Sequence, residues 1–191
     1  MAAKVIPFSE THMIEGCQRQ DRNCQRQLYE TYFQTMSWVC IRYLKDPVLV
    51  DDVVHEGFMK AFQRIDSFQS KGSLEGWIKR IMVNTCLDHL RKIKRMPTQV
   101  DLENATNFES EASADSTMQA NQIMEVVNTL SPLLRMVFNL NVVEGYPHKE
   151  IAKQLGIQES TSRAYLTEAK KRVRAMLSNL GWEQTTKIGH V

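Results

Sequence analysis

Apolar residues in this chain recur at intervals of three and four, with almost no strict alternation. Tyr29, Tyr32, Phe33, Met36, Cys40, Tyr43 and Leu44 trace one face of a helix over about residues 26–45, which Asp46-Pro47 should end. A second helix is predicted at about 48–65, with Val50, Val53, Val54, Phe58, Ala61, Phe62 and Ile65 inward. Its outward face carries Asp51, Asp52, His55, Glu56, Met59, Lys60 and Gln63. The polar stretch DSFQSKGS (66–73) is a loop with one aromatic, and GWIKRIMVNTCLDHLRKIKR (76–95) is a third helix.

The pattern stops in DLENATNFESEASADSTMQA (101–120), which has five acids, no base and little apolar material to bury. It reads as a linker. A helix at 121–129 follows, then Leu130-Ser131-Pro132, where serine is a suitable N-cap and proline suits the first helical position. The helix PLLRMVFNLNVV runs to the break Glu144-Gly145-Tyr146-Pro147. Strand and hairpin signals are nearly absent. The fold class is all-α: two small helical domains joined by a flexible acidic linker.

In 148–177 the spacing narrows further. Ile151, Ala152 and Leu155 form the apolar side of a short helix that stops at Gly156, where a left-handed backbone permits a sharp turn. Ile157 plugs the turn, and a second helix keeps Leu166, Ala169, Val173, Met176 and Leu177 inside. This is a helix-turn-helix, whose second helix enters the major groove near its N-terminus. The outward residues there are Ser160, Thr161, Arg163, Ala164 and Thr167, able to reach bases or phosphates. Lys170, Lys171, Arg172 and Arg174 add phosphate-neutralising charge.

At 100° per residue, helix 76–95 also divides into two faces. Val83, Cys86, Leu87, Leu90 and Ile93 face inward, while Trp77, Arg80, Asn84, Asp88, Arg91 and Arg95 share the other side. An aromatic, an amide and a row of guanidiniums suit a strand-separated nucleic acid. The same residues also fit a plain helix with Trp77 in the core and solubilising arginines.

Charge supports two nucleic-acid-facing blocks. Residues 1–100 hold 15 Lys+Arg against 11 Asp+Glu, and residues 121–191 hold 9 against 6. No apolar run approaches the roughly 20 residues of a membrane span, and the N-terminus lacks the apolar core of a secretory signal. A cytoplasmic protein without direct membrane insertion is expected. Cys17, Cys24, Cys40 and Cys86 form no CxxC pair and are expected as free thiols. No phosphate loop, metal-ligand spacing or nucleophile constellation is evident. No cofactor, no metal and no enzymatic activity are expected.

LYETYFQTMSWVCIRYLKDPVLVDDVVHEGFMKAFQRIDSFQSKGSLEGWIKRIMVNTCLDHLRKIKR followed by LSPLLRMVFNLNVVEGYPHKEIAKQLGIQESTSRAYLTEAKKRVRAML resembles the bacterial RNA polymerase sigma factors. The small extracytoplasmic-function (ECF) group, with only the second and fourth sigma regions, is the nearest in pattern. The resemblance implies an N-terminal extension at 1–25, region two at 26–96, a linker at 97–120, region four at 121–180 and a tail at 181–191. It implies binding to the clamp helices and flap of core RNA polymerase, recognition of promoter DNA, and control by an anti-sigma factor.

By the same resemblance Asp51, Asp52, His55, Glu56, Met59 and Lys60 belong to the polymerase-binding surface. Phe68, Gln69, Ser70 and Lys71 match the loop that captures a flipped base of the minus-ten element. Asn84 matches a position that lines the base pocket and Trp77 an aromatic at the upstream fork; Arg80, Arg91 and Arg95, on the same helix face, are expected to follow the nucleic-acid backbone. Ser160, Thr161, Arg163, Ala164, Thr167, Lys170 and Lys171 match the minus-thirty-five reader. The chain departs from the pattern at His55, where glutamine is usual, at Gln158 for a serine cap, and at Tyr165 for an arginine. The rival reading is a helix-turn-helix regulator that binds duplex operators without polymerase. A nucleic-acid-processing enzyme is a third, weakened by the absence of a metal-carboxylate cluster.

Overall fold

In the first half of the chain, each helix starts where a short polar side chain satisfies backbone amides that an N-terminus leaves unpaired. A computed structural model of the protein describes residues 9–44, 46–95 and 123–179, with residues 93–95 described as backbone alone. These residues fall into two units, one on each side of the boundary at residues 100 and 101. The proposed linker and tail lie outside the described residues.

In the first unit, α1 (Glu10–Gln18) is capped by Ser9, whose hydroxyl accepts from His12 N. Asp21 caps α2 (Arg22–Ile41) by accepting from Asn23 N and Cys24 N. Asp46 caps α3 (Pro47–Arg64) through Val48 N at 3.0 Å, with Pro47 in its first turn. The Asp46-Pro47 pair therefore opens a helix rather than closing the preceding one, which already ends at Ile41. Proline is tolerated there because a first-turn amide has no intrahelical acceptor. A 3₁₀ turn (Ile65–Ser67) and a loop lead to α4 (Leu74–Arg95), where Ser73 Oγ accepts from Gly76 N.

Helices α2, α3 and α4 pack pairwise, and α1 lies against α2 and the 3₁₀ turn. Leu28 and Met36 of α2, Val53, Val54 and Phe58 of α3, and Ile78, Met82, Val83 and Leu87 of α4 are buried. Leu90, expected inside, is half-buried. All four cysteines are free and buried. Burial pushes the Cys17 thiol up to about 11. The Cys86 thiol is also raised, by its contact with the Cys40 sulfur and by burial.

Gly57 lets α3 approach α4: a Cβ built there would collide with the Met82 thioether, which is itself fully buried. Gly57→Val is expected to destabilise the protein by at least about 2 kcal/mol through overpacking. Urea unfolding of the variant checks this; an unchanged midpoint would show that Met82 repacks freely.

The second unit contains α5 (residues 123–128), α6 (Pro132–Phe138), a π-helical turn (Asn139–Val143), α7 (His148–Leu155) and α8 (Glu159–Asn179). Ser131 stands at the start of α6 but its side chain makes no capping bond, so Pro132 is the signal that holds. The expected helix through residue 143 widens at Asn139, with Glu144 N donating to Asn139 O at 3.0 Å across five residues. Arg135 is buried and donates to Asn128 O at 3.3 Å, tying α6 to the end of α5.

Gly156 adopts φ 67°, and Ile157 N donates back to Ala152 O, so α7 ends in the left-handed turn that its sequence requires. Helix α8 packs on α6 and α7 through Leu166, Ala169 and Val173. Leu155, Ile157, Met176 and Leu177 are half-buried rather than fully inside.

Candidate nucleic-acid interface

The loop before α4 is built from local bonds. Phe68 N donates to Ile65 O at 3.0 Å, closing the 3₁₀ turn, and Ser67 Oγ donates to Arg64 O. Ser70 has φ 53°, a left-handed conformation that a non-glycine residue adopts at a cost of about 1 kcal/mol. Gln69, Ser70 and Lys71 are exposed, and Phe68 is half-buried. The Phe68 ring rests on Trp77, the centroids 5.6 Å apart and the planes tilted by 52°.

This pair joins the two readings of Trp77. Its indole is half-buried and packs against the loop aromatic, so it belongs to the core edge and to the surface at once. Arg80, Asn84 and Arg91 are exposed along α4, and Arg91 pairs with Asp88 at 3.1 Å. Arg95 lies in the last turn, where only the backbone is described.

The outward face of α3 is less uniform than its periodicity suggests. Asp51, Asp52 and Met59 are exposed, Met59 at 57%. His55 is exposed but engaged: its Nδ1–H donates to Asp51 O at 2.7 Å, leaving Nε2 to accept from the Tyr29 hydroxyl at 3.1 Å. Glu56 and Lys60, expected on the open surface, reach instead toward α4. Glu56 takes Lys60 Nζ at 2.8 Å and His89 Nε2 at 2.7 Å, and Lys60 also donates to Thr85 Oγ1. The cause is the α3–α4 pairing, which brings together residues 33 apart in the chain. No single-helix pattern contains it.

The hydrogen bonds from Lys60 and His89 hold the Glu56 carboxyl down at about 2. A depressed folded value makes this contribution present above the ordinary range near 4.5 and lost as pH falls toward 2. Because the side chain is 37% exposed, screening reduces the effect. Glu56→Gln is expected to cost about 1–2 kcal/mol at neutral pH, and nothing below pH ~2. Denaturation of both proteins as a function of pH checks this; a constant difference would remove the charge from the account.

In the second unit, Ser160, Arg163, Ala164, Thr167, Lys170 and Lys171 are exposed on α8, with Thr161 half-buried. Arg163 pairs with Glu159 one turn earlier, and Thr167 Oγ1 is turned back onto Arg163 O at 3.1 Å. Arg172 pairs with Glu168, whereas Lys170 and Lys171 extend the exposed basic stretch. Ser162 lies between Thr161 and Arg163 but is fully buried, with His148 Nδ1 2.9 Å from its hydroxyl. Spacing along one helix does not reveal that pair, since its members are 14 residues apart on different helices.

An all-helical unit with an aromatic, amide and arginine face, and a second unit built on a helix-turn-helix, define a two-part DNA-binding protein. The family description for sigma-70 region 2 matches residues 28–96, and that for sigma-70 region 4 matches residues 120–173. Together they match well over half of the chain, which belongs to the sigma-70 family of RNA polymerase sigma factors, in the ECF group.

The chain is 28% identical over 173 residues to the ECF RNA polymerase sigma-E factor of Escherichia coli (strain K12), covering 84% of this chain and 90% of that protein. It is 23% identical over 185 residues to the sigma-E factor of Haemophilus influenzae, covering 91% and 97%. The sigma factor RpoE of Bartonella quintana, solved in complex with the anti-sigma factor NepR, is 20% identical with a TM-score of 0.56. That match covers 80% of this chain and 96% of that one and shows the shared fold. The chain is a promoter-specific initiation factor that acts with RNA polymerase; the stand-alone operator-binding regulator is not favoured. Among the described residues no helix is long and apolar enough to cross a membrane.

Proposed function

We propose that the unit read over 26–96 binds the polymerase clamp helices and stabilises the melted minus-ten element, while the unit read over 121–180 reads the minus-thirty-five element as duplex. The residues 97–120 act as the tether between them, raising the effective concentration of the second site once the first is engaged. Helix α1, within the extension read at 1–25, packs on α2 inside the first unit.

The observation that carries this reading is the Phe68–Trp77 pair beside a left-handed Ser70 and an exposed Asn84. An aromatic packed against a second aromatic, in a loop with one residue in a strained conformation, suits an unstacked base. Gln69 and Lys71 offer polar contacts around it, and Arg80, Arg91 and Arg95 would follow the strand. Asp51, Asp52, His55 and Met59 form the outer polymerase contact, with Glu56 and Lys60 bracing the helix behind them. Ser160, Thr161, Arg163, Ala164 and Thr167 would meet base edges and phosphates in the major groove, with Lys170 and Lys171 on the backbone.

The chain would perform no chemistry, since polymerase synthesises the RNA, and it would work in the cytoplasm. An anti-sigma factor is the proposed regulator, because the structurally similar RpoE was solved with one. The test is RNA synthesis by bacterial core polymerase on a randomised promoter library, with and without the chain. Enrichment of two spaced elements only when it is present supports the reading. If no promoter depends on it and it shifts naked duplex unaided, the reading fails.

A further inference from the structure

We propose that His148 is a positioning residue for base recognition, holding α8 at a fixed rotation through its hydrogen bond to Ser162. The inference rests on the reading above that α8 enters the major groove.

Apolar side chains make up much of the α7–α8 seam. Ile151 and Ala152 of α7 meet a face of α8 that buries Leu166, Ala169 and Val173. Such surfaces set how closely two helices pack but tolerate small rotations, because dispersion contacts have no sharp angular preference. Ser162 adds a polar group there, a hydroxyl with no exposed surface. A buried hydroxyl is costly without a partner, and the partner here is His148 Nδ1 at 2.9 Å. That bond is directional, and it grips α8 at the residue between Thr161 and Arg163.

The leverage follows from helix geometry. A rotation of about 10° carries a group about 6 Å from the helix axis through about 1 Å, comparable to the whole tolerance of a hydrogen bond. Loss of the grip would therefore blur which base edges Arg163 reaches while leaving the helix-turn-helix folded. The electrostatic surroundings favour a neutral ring: burial, Arg163 and Lys170 disfavour the imidazolium, and Glu159 opposes them only in part. In a neutral imidazole Nδ1 either accepts a hydrogen bond from the Ser162 hydroxyl or donates one to it, according to the tautomer, and the bond is directional in both cases.

The test uses the full chain with core polymerase and promoters in which each base of the two selected elements is replaced in turn. His148→Ala is expected to reduce discrimination at the upstream element by about three- to tenfold and to leave the minus-ten profile close to wild type, while the stranded Ser162 hydroxyl lowers the thermal midpoint by a few degrees. Ser162→Ala should give the same profile, and the double variant should add nothing. His148→Asn, which places an amide where Nδ1 stood, should restore discrimination. If Arg163→Ala alters the upstream profile but His148→Ala and Ser162→Ala do not, the positioning role is overturned and the α8 reading stands. If Arg163→Ala leaves the profile flat as well, the α8 reading falls and the inference with it. A parallel loss at both elements with a lowered midpoint in every variant, His148→Asn included, marks a packing role only and equally overturns it.

Discussion

Phe68→Ala should lower open-complex formation by about tenfold, the range for removing one aromatic on which a base stacks, while affinity for core polymerase stays within about twofold. The separation follows from geometry. Phe68 and Trp77 lie at the junction of the loop and α4, whereas Asp51, Asp52 and Met59 lie on α3. Asn84→Ala should act in the same direction, since its exposed amide lies about two turns beyond Trp77 on α4. Permanganate reactivity of the melted strand reads the opening, and polymerase affinity is measured separately. An equal loss in both would assign Phe68 and Asn84 to the scaffold instead. Because Phe68 also covers part of Trp77, Phe68→Leu is a useful companion: it keeps apolar cover but offers no stacking face.

Arg163→Ala carries the other large expectation, about a tenfold loss of preference for one base of the upstream element, as for loss of a bidentate contact. The free protein already occupies this guanidinium with Glu159, so engagement of DNA must exchange one anionic partner for another. Arg163→Lys should not restore the preference, because an ammonium lacks the planar fork. Lys170→Ala or Lys171→Ala should differ in kind, weakening all sequences alike and reducing the salt slope by about one unit. A base-by-base competition series at two salt concentrations distinguishes these outcomes. An unchanged preference in Arg163→Ala would remove the residue from the readers.

What could be read before the structure was what single elements encode. Helices α3 and α4, the turn at Gly156 and the inward stripe of α8 each follow from spacing within one segment. Helix α1 escaped because nine residues with several polar side chains give a weak period, and its burial of Met13 and Cys17 depends on α2. The Asp46-Pro47 pair is ambiguous in sequence, because proline stops one helix and starts another with the same fixed φ. The π turn at Asn139 needs one additional residue in a turn, which apolar spacing does not register. The two polar pairs that revise the site, Glu56 with His89 and His148 with Ser162, each span two helices. Helix pairing decides them, so neither is encoded in the spacing of one segment.

The four buried thiols of the first unit give it a built-in reporter of its own opening. Cys17 and Cys86 are held well above the ordinary thiol range, and none of the four presents appreciable surface to solvent. An alkylating reagent attacks the thiolate, so modification of the closed unit is slowed both by access and by protonation. Labelling must then wait for a helix to lift, and its rate counts those excursions. Cys17 and Cys24 time the departure of α1 from α2, while Cys40 and Cys86 time the parting of α2 from α4.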